Sequence, residues 1–85
     1  MFFYLVSTFE MAAMQQMGKI KNPLTDKIEI NLEQAQASID MIDMIAEKTK
    51  GNLSDEESKH IESVAAQLKL NYVDELAKKD REKKD

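Results

Sequence analysis

Residues 48–58 read KTKGNLSDEES, and within this stretch one helix is ended and another begun. Gly51 can take the left-handed backbone that closes a helix. Ser54 is a helix-capping residue, and Glu57, three positions on, completes a capping box. Asp55 and Glu56 suit the positive end of the new helix dipole. Lys48 and Lys50 beside a glycine at a helix start resemble an anion-contacting corner, but Asp55, Glu56 and Glu57 would repel the anion. The stretch reads as a joint between helices.

Working backwards, Asn31 is a good N-cap with Gln34 at the capping-box position. From there Leu32, Ala35, Ile39, Ile42, Ile45 and Ala46 form one apolar stripe, with Ala37, Met41 and Met44 as a second beside it. This helix should stop at about Lys50. Working forwards, Ile61, Val64, Ala65, Leu68, Tyr72, Val73 and Leu76 make a continuous stripe, with fraying expected after Ala77.

The chain opens on a third helix, from about Phe2 to Met17, closed by Gly18. Twelve of the first seventeen residues are apolar. Phe2, Leu5, Val6, Phe9, Ala13 and Met17 follow helical spacing, while Phe3, Tyr4, Met11, Ala12 and Met14 fill most of the remaining circumference. Such a helix cannot be a simple surface helix. Between it and Asn31, Asn22-Pro23 favours an extended backbone and Leu24-Thr25-Asp26 a turn. Lys27-Ile28-Glu29-Ile30 alternates like a short strand or arm, with Ile28 and Ile30 expected to be buried across the bundle.

The expected architecture is therefore all-α: one three-helix domain over residues 1–78, with an extended arm between helices 1 and 2, followed by a charged tail at 79–85. An 85-residue chain buries a modest core and usually needs support. With no cysteine and one histidine, disulfides and thiolate metal sites are excluded, and another protein surface is the support that remains. The formal charge is −4 and concentrates in the body, since residues 31–78 hold ten acids against five bases. An acidic body disfavours nucleic acid, and the mixed-sign tail reads as a solvated end. The run MFFYLVSTF has no base before it and is broken by Ser7 and Thr8. It reads as part of a folded helix, not a signal peptide or membrane span, and a cytoplasmic location is expected.

Chemistry is sparse. The two glycines form no phosphate-cradling loop. His60, the sole imidazole, lies off the apolar stripe and is expected at the surface. Asp40 and Asp43 share one side of helix 2, where a solvated polar face, or an ion pair across a helix interface, explains them better than paired acid–base work. Neither a metal nor a cofactor is expected, and no enzymatic activity. Methionine is over-used on adaptable binding surfaces, and four of the five aromatics fall in the first nine residues. Two other helices of so short a chain could hardly cover helix 1 all round. Phe2, Phe3, Leu5, Val6, Phe9, Met14 and Met17, joined by Met41 and Met44, are therefore the candidate interaction surface.

The order of motifs resembles domain-of-unknown-function family 1844, small bacterial helical proteins, over about Phe2 to Leu76. It rests on Leu5-Val6-Ser7, Met17-Gly18, Asn22-Pro23, Leu32-Glu33-Gln34-Ala35, Ile39-Asp40-Met41-Ile42, the run Lys48 to Leu53, and Tyr72-Val73. Where such sequences tend to carry glycine in the turn after the proline, this one has Asp26. The resemblance implies a small cytoplasmic helical protein and carries over no catalytic residues. The expected function is a non-enzymatic protein–protein interaction module, homodimeric or an accessory subunit of a larger assembly. A small-molecule or lipid-binding module with a pocket among the methionines, and a ribosome- or RNA-associated accessory protein, are the alternatives.

Overall fold

The computed structural model describes residues 1–83 and consists of three helices: α1 (Phe2–Gln16), α2 (Leu32–Lys48) and α3 (Asp55–Lys83). The domain is all-α. Among the described residues the only sheet-like pairings are two isolated bridges, Met17 with Ile30 and Asn22 with Lys27.

Each helix end is made by the residues that announce it. After α1, the Lys19 N–H donates to the Met14 carbonyl at 2.9 Å and the Gly18 N–H to that of Gln15 at 3.0 Å. This double bond pattern requires a left-handed residue, and Gly18 has φ +80°. At the start of α2 the Asn31 Oδ1 accepts from the Gln34 N–H at 3.1 Å. The expected return bond from the Gln34 side chain is replaced: the Asn31 N–H donates to the Gln16 carbonyl at 2.7 Å, tying the start of α2 to the end of α1. Between α2 and α3 the Asn52 N–H closes a turn on the Thr49 carbonyl at 2.9 Å, with Gly51 at φ +89°. Ser54 and Glu57 then form both halves of a capping box, at 3.2 and 2.9 Å. The 48–58 joint is built as its sequence indicates.

Helix α2 runs antiparallel to α1, as the Gln16–Asn31 bond demands. Helix α3 returns parallel to α1, in a register that holds along its length. The Phe3 ring meets His60, with centroids 4.8 Å apart; Asn71 reaches the Met14 sulfur at 3.9 Å; and Lys19 pairs with Glu75 at 2.7 Å. Between the helices lie Val6, Ala13 and Met17; Ala35, Ile39 and Ile42; and Ile61, Val64, Ala65 and Leu68, all buried.

Three expectations about burial are corrected. Ile28 and Ile30 do not lie inside the bundle; they remain 57 % and 61 % exposed. Among the described residues the arm is bridged outside itself at Ile30, to Met17, and otherwise folds on itself, closed by the Asn22 N–H on the Lys27 carbonyl at 2.9 Å. Its turn carries Pro23 at the second position, where its fixed φ is favoured, and Asp26 at φ 56°. Asp26 thus takes the left-handed backbone that glycine would otherwise supply, which short polar side chains tolerate. On α3, Val73 is exposed because it sits about 100° of helical rotation from the core line through Leu68 and Tyr72. His60 is half-buried, not at the surface, since the Phe3 ring covers one side.

The expected fraying after Ala77 is also replaced by helix. Helix α3 continues to Lys83, with Lys78, Lys79 and Asp80 exposed. Of the charged tail at 79–85, Lys84 and Asp85 lie outside the described residues.

Candidate interaction surface

Helix α1 touches two neighbours, and these decide which of its apolar residues remain available. Its Gln16 side-chain amide lies 2.7 Å from the Ser38 hydroxyl of α2, and with the amide nitrogen turned to α2 it also donates to the Gln34 carbonyl at 3.0 Å. Phe3, Met14 and Lys19 mark the opposite flank, against α3. Val6 and Met17 point between the two and are fully buried. They are corrected from docking residues to core residues. Phe2, Phe9 and Met14 pack partly onto that core, so most of their apolar surface is already covered within the chain. Phe3 keeps 43 % of its surface exposed but is engaged edge-on with His60.

The free side of the α1–α2 seam, turned away from α3, carries a different set. Leu5, Thr8 and Ala12 recur at helical spacing on the Gln16 side of α1. Met41, Ile45 and Lys48 do so on the Gln34 side of α2. Leu5, Met41 and Met44 are 42, 46 and 45 % exposed. Of the expected surface, Leu5, Met41 and Met44 stay half-exposed, whereas Val6 and Met17 are buried and Phe9 and Met14 partly so. Tyr4 and Met11 stand exposed on the outer crest of α1, and Leu70 and Val73 on that of α3. Helical spacing alone could have found Ala66, Leu70, Val73 and Ala77 as a second stripe on α3, on the side opposite its core.

The ion pairs found among the described residues involve none of these side chains. Asp43 pairs with Lys69 of α3 at 2.9 Å, which realises the cross-helix alternative for one of the two aspartates; Asp40 instead accepts from the Gln36 amide at 2.8 Å. Lys19 bridges Glu75 at 2.7 Å and Asp74 at 3.6 Å, and Lys78 reaches both at 3.4 Å. The hydrogen bond from Lys19 holds Glu75 below the ordinary carboxylate range, and the bond to Glu75 holds the Lys19 ammonium above its ordinary value. Asp74 is lowered chiefly by its bond from Lys78. This cluster fastens the end of α1 to α3, and its Glu75 and Lys78 border a surface cleft.

Clefts open on the surface of the described residues. One of about 470 Å³ lies at the α2–α3 joint among Asp43, Ala46, Glu47, Lys50, Leu53 and Ile61. One of about 320 Å³ is bordered by Ile30, Leu32, Glu75, Lys78 and Lys79. The third, about 430 Å³, lies under the arm against Gln15, Gln16 and Asn31. No methionine lines any of these three. Among the described residues no three His, Asp or Glu side chains converge as a metal site requires, and no helix is long and apolar enough to cross a membrane.

No curated protein and no solved structure matches the chain. A family model does, and its match spans all of α1, the arm, α2, the joint and α3 as far as Asp74. With residues 1–74 matched, the chain belongs to the family described as Domain of unknown function (DUF1844).

Proposed function

We propose that this chain is a non-enzymatic interaction module of the bacterial cytoplasm, acting by self-association or as an accessory subunit of a larger assembly. The observation that carries the reading is the half-exposed apolar side chains of Leu5 on α1 and of Met41 and Met44 on α2. Large apolar side chains left half-exposed on adjacent helices are what a protein-binding face offers, and methionine adapts to a partner's contours.

The surface area supports the same reading. The chain exposes 6200 Å², against about 5,100 Å² for a compact monomer of its mass. Its radius of gyration is 14.0 Å, against roughly 12 Å for a compact domain of this length.

The test compares the tagged chain with a Met44→Asp variant in pull-downs from the native host at low and high salt. The expected result is a stoichiometric, salt-resistant partner, or an untagged copy, retained by the wild type and lost by a folded Met44→Asp variant. Equal retention by both proteins overturns the assignment of this face.

A further inference from the structure

The arm between α1 and α2 presents an unpaired strand edge, and we propose that an extended segment of a partner protein adds to it as an antiparallel strand. Read from its N-terminal side, that segment carries an aliphatic, a basic, an aliphatic and an acidic residue. The arm follows the end of α1, away from Leu5, so this surface goes beyond the docking role proposed for Leu5, Met41 and Met44.

The backbone decides which edge is free. Bridges at both ends, Asn22 with Lys27 and Met17 with Ile30, hold residues 27–30 extended. At one end the Lys27 carbonyl accepts from the Asn22 N–H, and just past the other the Asn31 N–H donates to the Gln16 carbonyl. Both groups point inwards. Backbone groups along a strand alternate in direction, so those of Ile28 and Ile30 point outwards. Neither residue has a backbone hydrogen bond among the described residues, and both are more than half exposed. An edge of alternating free donors and acceptors is a template for another strand, and strand addition is how such edges take up extended peptides. Pro23 sits in the turn, so no proline blocks this edge.

The side chains set what the added strand must carry. Ile28 and Ile30 both lie over Gly18, and alternation puts Lys27 and Glu29 on the other face. Residues directly opposite each other interact on one face. The partner therefore meets Ile30 and Ile28 with aliphatic side chains, Glu29 with a base and Lys27 with an acid. The Thr25 hydroxyl donates to Glu29 at 2.7 Å, which orients the carboxylate and leaves its charge. The cleft that Glu29 borders is otherwise lined by uncharged residues. Glu75, Lys78 and Lys79 share a cleft with Ile30 that Glu29 does not border. The other charges of the turn, Lys21 and Asp26, are of opposite sign. Charged residues on an edge turn most strands away; Lys27 and Glu29 admit the one that complements them.

A second copy does not supply that strand. Set antiparallel with Ile28 against Ile28, it matches Lys27 with Glu29 twice, but it brings Asp26 opposite Ile30. Asp26 has φ 56°, outside the extended backbone that a strand needs, and it places a carboxylate where an aliphatic side chain belongs.

The test screens the full chain against a displayed library of random peptides and then measures affinity for the best binder, synthesised. Selected peptides are expected to share the order aliphatic, basic, aliphatic, acidic. Ile28→Pro removes an outward N–H and should weaken binding by about tenfold or more, whereas Ile28→Ala, which keeps it, should cost less. The double variant Lys27→Glu, Glu29→Lys should select peptides with the base and the acid exchanged, a gain that misfolding cannot produce. No enriched sequence, enriched sequences without this order, or full affinity in a folded Ile28→Pro chain overturns the proposal. A wild type that sediments as a dimer, and that Ile28→Pro converts to a monomer, overturns the foreign partner in favour of a second copy.

Discussion

The side chain of Ile30 lies over Gly18: a Cβ built on the glycine would stand 2.7 Å from Ile30 Cγ1, and 3.3 Å from Ile28 Cγ2. This one relationship explains why the arm is ordered while its isoleucines remain more than half exposed. They cover the end of α1 from outside, where the left-handed glycine brings the backbone close enough to be covered.

Gly51 offers the control. It has a similar positive φ, but a Cβ there meets nothing within 4 Å. Gly51→Ala should cost only the left-handed strain, about 1 kcal/mol. Gly18→Ala adds displacement of the arm and should cost about 2 kcal/mol or more. In a domain of this size each kcal/mol lowers the thermal midpoint by roughly 4–8 °C. Thermal melts of the two variants should therefore differ clearly, and equal midpoints would remove the packing role assigned to Ile30.

The Lys19 cluster predicts a pH dependence with two limbs. Glu75 and Asp74 titrate below their ordinary values in the folded chain. Their contribution is complete above the unfolded values near ~4 and fades as pH falls through the depressed folded ones. Lys19 titrates above its ordinary value, so its contribution is complete below about pH 10.4 and fades as pH rises through the raised folded value. Lys19→Met should flatten the acid limb of the midpoint-against-pH curve. The Lys19–Glu75 pair lies near solvent, so the loss near neutral pH should be at most about 1 kcal/mol. An unchanged acid limb would show that the contact contributes nothing to stability.

The caps should rank in an order read from their bonds. Ser54 participates in a reciprocal pair with Glu57, whereas Asn31 caps through its side chain alone while its backbone holds Gln16. Ser54→Ala and Asn31→Ala should each cost on the order of 1 kcal/mol, because both remove one side-chain acceptor. Glu57→Ala should add a measurable loss, but Gln34→Ala should not, since no Gln34 side-chain bond to Asn31 exists. Denaturant titration of the four variants decides it.

Most helix ends and the core stripe of α2 were legible in the sequence, but the inward face of α1 was not. Asn31, Gly51, Ser54 and Glu57 act on their own backbone within a few residues, so short-range chemistry suffices to place them. Val6 and Leu5 are adjacent in a helix apolar nearly all round, and nothing local says which of them faces inwards. That depends on where α2 and α3 lie, which is set by contacts as distant as Gln16 with Ser38 and Lys19 with Glu75. The second stripe of α2 was legible because Glu33, Asp40 and Lys48 bracket it. On α3 the expected stripe went astray at Val73, where exposed apolar residues continue a line that began as core.

His60 should respond to substitution as a core neighbour. Its Nε2 is buried with no hydrogen-bond partner among the described residues, and its ring packs against Phe3 at an interplanar angle of 61°. A buried polar atom left unpaired is costly, about 1–3 kcal/mol. His60→Leu should therefore hold or raise the thermal midpoint, while His60→Ala, which strips the Phe3 contact, should lower it. A loss of equal size in both would point instead to a polar role for the imidazole.

Met17 and Met41 provide the sharpest separation between core and surface. Met17 is fully buried where α1 ends, so Met17→Ala should cost about 2–5 kcal/mol by leaving a cavity. Met41 is 46 % exposed on the outer ridge of α2, and Met41→Ala should change stability by no more than about 0.5 kcal/mol. Association should respond in the reverse order when measured under conditions where each variant stays folded. Met41→Ala should weaken it, and any loss from Met17→Ala should follow the unfolded fraction read by circular dichroism. If Met41→Ala leaves association untouched while Met17→Ala abolishes it in a fully folded protein, the docking residues are those of α1, and the burial assigned to Met17 does not hold in solution.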